Sequence, residues 1–209
     1  MGLFFDYTVN ICYHYSMENI FTEQVLQSFE DRIRKHHELY PTLYIKAEYW
    51  ESIASSSLGS IGWVPNNHNP NEDLNTKHDG LKKPSLKSGV IKGDILNFSS
   101  HRMSKYNTLD EMIEFLDNRT YDSFLFLSRD EKINNKYLIC YMSSKLWKYS
   151  EFNWKPKVGV RKGTKGNQTG WIGVSQDGSV SVQINFKMSN QLWVDVNLNL
   201  ITIIKEILI

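Results

Sequence analysis

The chain has only two cysteines, almost no net charge, no long apolar run and no internal repeat. Cys12 and Cys140 lie far apart without a CxxC spacing, a pattern that favours neither a zinc site nor a disulfide framework. Because Cys140 lies inside the apolar run 137–142, we expect a small buried hydrophobic residue there. No stretch is long and apolar enough to span a bilayer, and the N-terminus lacks the basic region of a signal peptide. We therefore expect a cytoplasmic protein without membrane contact.

The formal net charge of +1 is too small to indicate a nucleic-acid partner by itself, so local excesses of charge matter more. Positions 77–105 hold seven basic residues against two acids: Lys77, Lys82, Lys83, Lys87, Lys92, Arg102 and Lys105 against Asp79 and Asp94. Positions 152–176 hold no acid and five basic residues: Lys155, Lys157, Arg161, Lys162 and Lys165. Either stretch is a candidate contact for phosphate groups or an ordinary solvated surface. The glycines of 155–170 favour either a flexible basic loop that contacts DNA or a disordered surface hairpin.

A chain of 209 residues, 41% of them hydrophobic, is long and apolar enough for one domain, and no linker divides positions 1–209. Apolar residues three and four apart predict helices, and apolar runs between turn residues predict strands. Pro41 is expected to stop the first helix, Thr108 with Glu111 predicts a capping box, and Asp177-Gly178 predicts a hairpin turn. Helices are expected over 17–40, 46–58 and 109–118, strands over 85–89, 91–98, 121–128, 136–142, 171–174 and 180–186, and a strand or short helix over 201–209. The pattern predicts an α/β (α+β) fold with a central mixed β-sheet flanked by helices.

The second predicted helix carries an acid on its apolar side. Ala47, Trp50, Ala54 and Leu58 form the apolar stripe, and Glu51 lies three residues before Ala54. A carboxylate on an apolar face needs a partner, either a cation in a salt bridge or a bound metal ion, unless it lies at the edge of that face. Glu51 is therefore a candidate metal ligand.

A long irregular stretch over 63–89 reads WVPNNHNPNEDLNTKHDGLKKPSLKSG. Within it, the order W-x-P-x-x-H-x-x-x-x-D ends at Asp73, and S-x-K-S-G begins at Ser85. These motifs resemble the PD-(D/E)XK nuclease superfamily, and within it type II restriction endonucleases. Ser85 stands where the family pattern prefers Asp or Glu. This S-x-K form resembles the motif of some restriction enzymes. Those enzymes take a carboxylate from an upstream helix instead.

The resemblance implies Mg²⁺-dependent hydrolysis of double-stranded DNA at a short specific sequence. Asp73 would bind the metal, and the main-chain carbonyl of Leu86 would add a ligand. Lys87 would orient or activate the attacking water. Glu51 would complete the carboxylate set beside Ser85. A homodimer is expected because two-fold DNA sites are most simply read by two-fold proteins, and a cognate DNA methyltransferase would be a separate chain.

The expected DNA contacts come from basic residues and from one amide-rich segment near the C-terminus. They are Lys83, Arg102, Lys155, Lys157, Arg161, Lys162, Lys165, Ser189, Asn190 and Gln191. Arg102 ends a Ser-Ser-x-Arg sequence that resembles a phosphate contact of the same enzymes. Asn and Gln side chains can pair with adenine.

Other functions stay open at this point. A DNA repair or junction nuclease would share the same core and tolerate many sequences. A catalytically inactive nuclease-like protein would bind nucleic acid only, and Ser85 in the place of a carboxylate favours that alternative. An unrelated α/β interaction domain would require both motifs to be coincidental.

Overall fold

The computed structural model describes residues 20–59, 64–65, 74–75, 84–119, 123–133 and 135–209. Within these residues the fold is α+β, and the main sheet is mixed with nine strands, in agreement with the predicted class. Its contacts group the described residues into two compact units. The first contains those up to Leu86 together with Ser123 and Ile209, and the second contains the others. The single domain over 1–209 stays a prediction.

Helix α1 (Glu23–Leu39) belongs to the first unit and follows the predicted pattern. Thr22 caps it, with a hydroxyl that accepts a hydrogen bond from the Val25 N–H at 3.4 Å. Val25, Phe29 and Ile33 are buried, as their four-residue spacing predicts. The helix ends just before the Tyr-Pro pair that was expected to stop it.

Helix α2 (Ala47–Leu58) packs against α1 through aromatic rings, with the centroids of Phe29 and Trp50 5.4 Å apart. Its buried residues are Trp50, Ile53, Ala54, Ser57 and Leu58. The predicted stripe is therefore partly wrong, because Ala47 and Glu51 are both exposed. Ile53 and the small Ser57 are buried instead. The buried face of α2 is therefore centred away from Glu51, which is exposed to solvent.

The main sheet consists of β3 (Pro84–Lys92), β4 (Ile95–Arg102), β5 (Ser123–Asp130), β6 (Lys136–Ser143), β7 (Asn153–Val158), β8 (Gln168–Val174), β9 (Val180–Asn185), β10 (Gln191–Asn197) and β11 (Thr202–Leu208). Before these come β1 (Val64–Pro65) and β2 (Leu74–Asn75), which form a separate antiparallel pair. The order across the main sheet is β11-β6-β5-β3-β4-β10-β9-β8-β7. All pairs from β3 through β4, β10, β9 and β8 to β7 are antiparallel. Residues 201–209, expected as a strand or a helix, form strand β11.

The β3–β4 hairpin turns at Gly93 and Asp94, whereas the sequence predicted a junction that began at Gly89. Gly93 has φ 63°, a left-handed conformation that favours glycine. Gly89 instead pairs with Phe98 inside the ladder. A Cβ on Gly89 would collide with the Leu96 side chain, so this glycine serves close packing rather than turning.

The centre of the sheet is apolar, as the continuous run in the sequence predicts. Phe124 to Leu127 on β5 are all buried. The Phe98 ring lies 5.4 Å from Phe124 and 4.8 Å from Phe126, measured between centroids. Cys140 on β6 is fully buried, which confirms its prediction as a small core residue.

Helix α3 (Leu109–Asp117) begins with the predicted capping box. The Thr108 hydroxyl accepts a hydrogen bond from the Glu111 N–H, and the Glu111 carboxylate accepts one from the Thr108 N–H at 3.1 Å. Backbone N–H groups of Asn107 and Thr108 lower the pKa of Glu111. Among the described residues, no helix is long and apolar enough to cross a membrane.

The β8–β9 hairpin turns at the Asp-Gly pair that predicted it. Gly178 has φ 74°. The Asp177 carboxylate accepts hydrogen bonds from the hydroxyls of Ser175 and Ser179 at 2.7 and 2.8 Å, and from the Ser179 N–H. These bonds stabilise the charged form and lower the pKa of Asp177 to about 2.

We expect the Cys140 thiol to be inert in the folded protein. Burial raises its pKa to about 12, so it is neutral near physiological pH, and only a thiolate reacts rapidly. A Cys12→Ser variant should give almost no signal with an aromatic disulfide reagent at about pH 8 while folded, and its full thiol content after denaturation. Rapid labelling of the folded variant would contradict this burial.

Candidate functional site

Lys87 lies in the middle of β3, an inner strand with β5 on one side and β4 on the other. Its side chain is half-buried, which is uncommon for a lysine. Ser85 lies two residues earlier, hence on the same face of the strand, and is only 3% exposed. The predicted position of the S-x-K motif on a strand is therefore confirmed. The catalytic roles of Lys87 and Ser85 stay predictions.

Two predicted site residues, Asp73 and Lys83, lie outside the described residues. In the part of the chain that the structure describes, no group of three or more His, Cys, Asp or Glu side chains could hold a metal ion. The oxygen donors that the motif offers on β3 are the Ser85 hydroxyl and the Leu86 carbonyl. Both suit Mg²⁺ in kind, but both are neutral, so a cation there also needs a carboxylate such as that of Asp73.

Glu51 was nominated because a carboxylate on an apolar helix face requires a partner. The side chain is exposed on α2, so that reason does not hold. Its role as a metal ligand stays a prediction without this support.

Arg102 at the end of β4 is held by Gln191 at the start of β10. A shift in the β4–β10 register brings the two residues opposite each other. The Arg102 Nε donates to the Gln191 Oε1 at 3.0 Å, and the Gln191 Nε2 donates to the Ser100 carbonyl at 2.8 Å. Both ends of the buried Gln191 amide are thereby occupied. In this structure Gln191 positions the guanidinium of Arg102, which is itself exposed.

Ser189 and Asn190 form the turn that leads into β10, with φ 57° and 51°. The Asn190 Nδ2 donates to the carbonyls of Met103 and Tyr106 at 3.3 and 3.4 Å. These bonds tie the turn to the segment after β4. Contact of Ser189 or Asn190 with bases stays a prediction.

The basic stretch 155–170 is largely a β-hairpin, not the flexible loop that its glycines suggested. Lys155 and Lys157 belong to β7, and the exposed Arg161, Lys162 and Lys165 form the tip between β7 and β8. Gly163 and Gly166 have φ 87° and 82°, so they shape the turn. The two-residue alternation of Trp154, Pro156 and Val158 with the lysines was the strand signal that sequence reasoning missed.

A cluster on β7 and β9 was not predicted from the sequence. The Lys157 ammonium donates to the Gln183 Oε1 and to the Asn185 Oδ1, each at 2.7 Å. Lys157 pairs with Gly170, and Gly170 pairs with Asn185. Gly170 has no side chain to stand between the lysine and the amide, so Lys157 reaches across β8. We call Lys157, Gln183 and Asn185 the donor cluster.

The donor cluster belongs to a polar sheet face, because residues paired across strands point to the same side. One row contains Lys157, Gly170, Asn185, Gln191 and Arg102. The next contains Lys155, Ile172, Gln183, Trp193 and Ser99. A third contains Asn153, Val174, Ser181, Asp195 and Asn97. Alternate residues on the other side are buried and apolar: Val180, Val182, Ile184, Leu192, Val194 and Val196.

Such alternation is typical of an antiparallel sheet with one face packed and the other solvated. Most positions of the polar sheet face are only half-buried, and its side chains include amides, lysines and one indole. It can therefore offer hydrogen bonds and a stacking surface to a ligand.

No protein-family model matches the chain, and comparison with curated proteins gives no match. The resemblance to the nuclease superfamily therefore rests on sequence motifs alone: those around Asp73 and Lys87, and the Ser-Ser-x-Arg sequence that ends at Arg102.

Proposed function

We propose that the protein is a Mg²⁺-dependent type II restriction endonuclease that hydrolyses double-stranded DNA at a short specific sequence. The observation that carries the proposal is the position of Lys87. It is a half-buried cation in the middle of an inner strand, two residues after Ser85 in an S-x-K motif. An ammonium group held in this way suits the stabilisation of phosphate charge and the orientation of a water molecule.

The roles in the reaction follow from the chemistry of the donors. Asp73 and the Leu86 carbonyl would hold Mg²⁺, with Glu51 as a further candidate. The metal, when bound, would lower the pKa of a water molecule and neutralise phosphate charge. Lys87 would donate hydrogen bonds to a phosphate oxygen or to the attacking water. Ser85 lies on the same strand face as Lys87 and would offer the metal a neutral hydroxyl oxygen.

A duplex partner is supported by charge as well as by the motif. The hairpin over residues 155–170, called the basic hairpin below, carries five cations, and no acid occurs between Glu151 and Asp177. The exposed tip suits contacts with phosphate groups, which position a protein on DNA without reading its sequence. The polar sheet face beside it supplies amides that suit contacts with base edges.

A homodimer is part of the proposal, since a two-fold protein most simply reads a two-fold site. The end of α1 and the segment after it expose large side chains: Leu39, Tyr40, Leu43, Tyr44 and Tyr49, the last of these on α2. A cluster of exposed apolar side chains in the first unit suits association with a second copy. A cognate methyltransferase on another chain would protect the host DNA.

The second candidate function is DNA binding without cleavage. Ser85 favours it, because the hydroxyl carries no charge where the family pattern has a carboxylate. A repair or junction nuclease with the same core remains the third.

The test is digestion of a plasmid of known sequence with Mg²⁺, followed by sequencing of the ends. The proposal expects discrete cuts at one recurring short sequence, and none when a chelator replaces Mg²⁺. Scattered ends would identify a nuclease of low specificity instead. Retained duplex binding with intact plasmid would identify the binding-only protein.

A further inference from the structure

We infer that the donor cluster of Lys157, Gln183 and Asn185 contacts the major-groove edge of a guanine, so that the recognition sequence contains a G·C pair. This inference rests on the duplex DNA substrate of the proposed function and adds the identity of a base to it.

Lys157 determines the orientation of the two amide side chains. A lysine ammonium group has three donors and no acceptor, so only an amide oxygen can face it. Lys157 therefore fixes the Gln183 and Asn185 side chains with their oxygens inwards and their NH₂ groups away from the ammonium. Neither amide nitrogen donates a hydrogen bond within the described part of the chain. One N–H of the ammonium also stays open, so the cluster offers a ligand donors only.

The hydrogen-bonded arrangement of the donor cluster exists before a ligand binds. Lys157 is half-buried and lies across Gly170 with two hydrogen bonds of 2.7 Å. A Cβ at Gly170 would collide with the Ile184 carbonyl oxygen, so the crossing depends on glycine at this position. Because the side chains are already ordered, binding loses less conformational entropy than it would with free lysines.

The donors of the cluster match the two acceptors on the major-groove edge of guanine. In the major groove guanine presents two acceptors, N7 and O6, while adenine presents one acceptor and one donor. A donors-only cluster fits guanine and repels the adenine amino group. The major groove admits a two-stranded β-ribbon. The β7–β8 hairpin carries the lysine of the donor cluster, and the adjacent strand β9 carries its two amides.

Asp195 supplies the opposite chemistry on the same polar sheet face. It pairs with Ser181, which places it diagonally from Gln183. One carboxylate oxygen accepts a hydrogen bond from the Asn97 Nδ2 at 2.6 Å, and the other accepts none within the described residues. A free carboxylate oxygen suits the N4 amino group of cytosine, the partner of guanine.

Phosphate is also an acceptor, so the test must separate base from backbone. Duplex binding is measured without divalent metal, on fragments made with either guanine or 7-deazaguanine, which lacks the N7 acceptor. The wild-type protein should bind the 7-deazaguanine duplex roughly 10-fold more weakly, because a bidentate base contact is reduced to a single hydrogen bond to O6. Equal binding of both duplexes would overturn the inference.

The variant Asn185→Asp keeps an oxygen towards Lys157 and removes the outward NH₂ group. It should lose roughly 10-fold or more in affinity for guanine-containing sites selected by the wild-type protein, and lose its discrimination against 7-deazaguanine. Asn199→Asp, the same charge change at an exposed position, is the matched control and should behave as wild type. A loss that is equal on all sequences would assign the cluster to phosphate and overturn base reading.

The binding and cleavage measurements together also distinguish this inference from the proposed function. Guanine-dependent binding by a protein that never cuts DNA would support the inference and remove the endonuclease. Specific cutting that ignores 7-deazaguanine would keep the endonuclease and remove the inference. Binding of single-stranded nucleic acid alone would overturn both.

Discussion

Lys87→Ala is expected to reduce DNA cleavage by at least about 10²- to 10³-fold, the usual cost of removing a donor that stabilises developing charge. Binding to duplex DNA without metal should persist, because the phosphate contacts proposed for the basic hairpin remain. The rate is measured on plasmid with Mg²⁺, and binding by a gel-shift assay. The variant should fold, since alanine itself brings no polar group into this half-buried strand position.

The matched control is Lys92→Ala on the same strand. Lys92 is exposed and forms a salt bridge to Glu131 at 3.5 Å, with about half of each side chain accessible. Exposed pairs of this kind contribute roughly 0–1 kcal/mol to stability. The control removes the same charge and should cleave at the wild-type rate. Cleavage by Lys87→Ala at a rate comparable to that of the control would exclude a catalytic Lys87.

Neutralising the basic hairpin is expected to weaken binding to every DNA sequence. The change replaces four residues by glutamine, Lys155, Arg161, Lys162 and Lys165, and leaves Lys157 of the donor cluster in place. Each lost phosphate contact should lower the slope of log affinity against log salt by about 0.9, because fewer counterions are released on binding. Affinity is measured across a series of salt concentrations with one random and one specific duplex.

A smaller pair of variants isolates the tip of this hairpin. One neutralises Arg161, Lys162 and Lys165, and the other neutralises three exposed lysines elsewhere, Lys132, Lys145 and Lys148. Both remove the same total charge. The tip variant should reduce the slope, and the second should leave it near the wild-type value. Identical slopes for the two would mean that only net charge matters and that the tip touches no phosphate.

Local patterns predicted most elements of the fold. The four-residue spacing of Val25, Phe29 and Ile33, the capping box at Thr108 and the Asp-Gly turn at Asp177 each depend on residues close in sequence. These signals reflect the periodicity of the helix and the geometry of a turn, so one chain suffices to read them. The S-x-K motif was likewise predicted on a strand, and β3 contains it.

What the sequence could not supply was the pairing between distant segments. The roles of Gly89 and Gly93 were merged because both can turn a chain, and only the packing of Leu96 on β4 distinguishes them. The spacing of alanine, tryptophan and leucine residues placed Glu51 beside a buried stripe, whereas the burial of Ile53 and Ser57 shifts the buried face away from it. The donor cluster depends on the β7–β8–β9 register, which brings together residues more than twenty positions apart.

The last strand of the sheet, β7, carries Pro156 between two lysines. Proline offers no N–H to a neighbouring strand, and it is tolerated in sheets mainly at such an edge. If two β7 strands met antiparallel, their lysines would bring like charges together. Pairing of another copy of the protein with this edge is therefore disfavoured, and so is fibril growth from it. The same features that close the edge to a further strand leave the hairpin accessible to a polyanion.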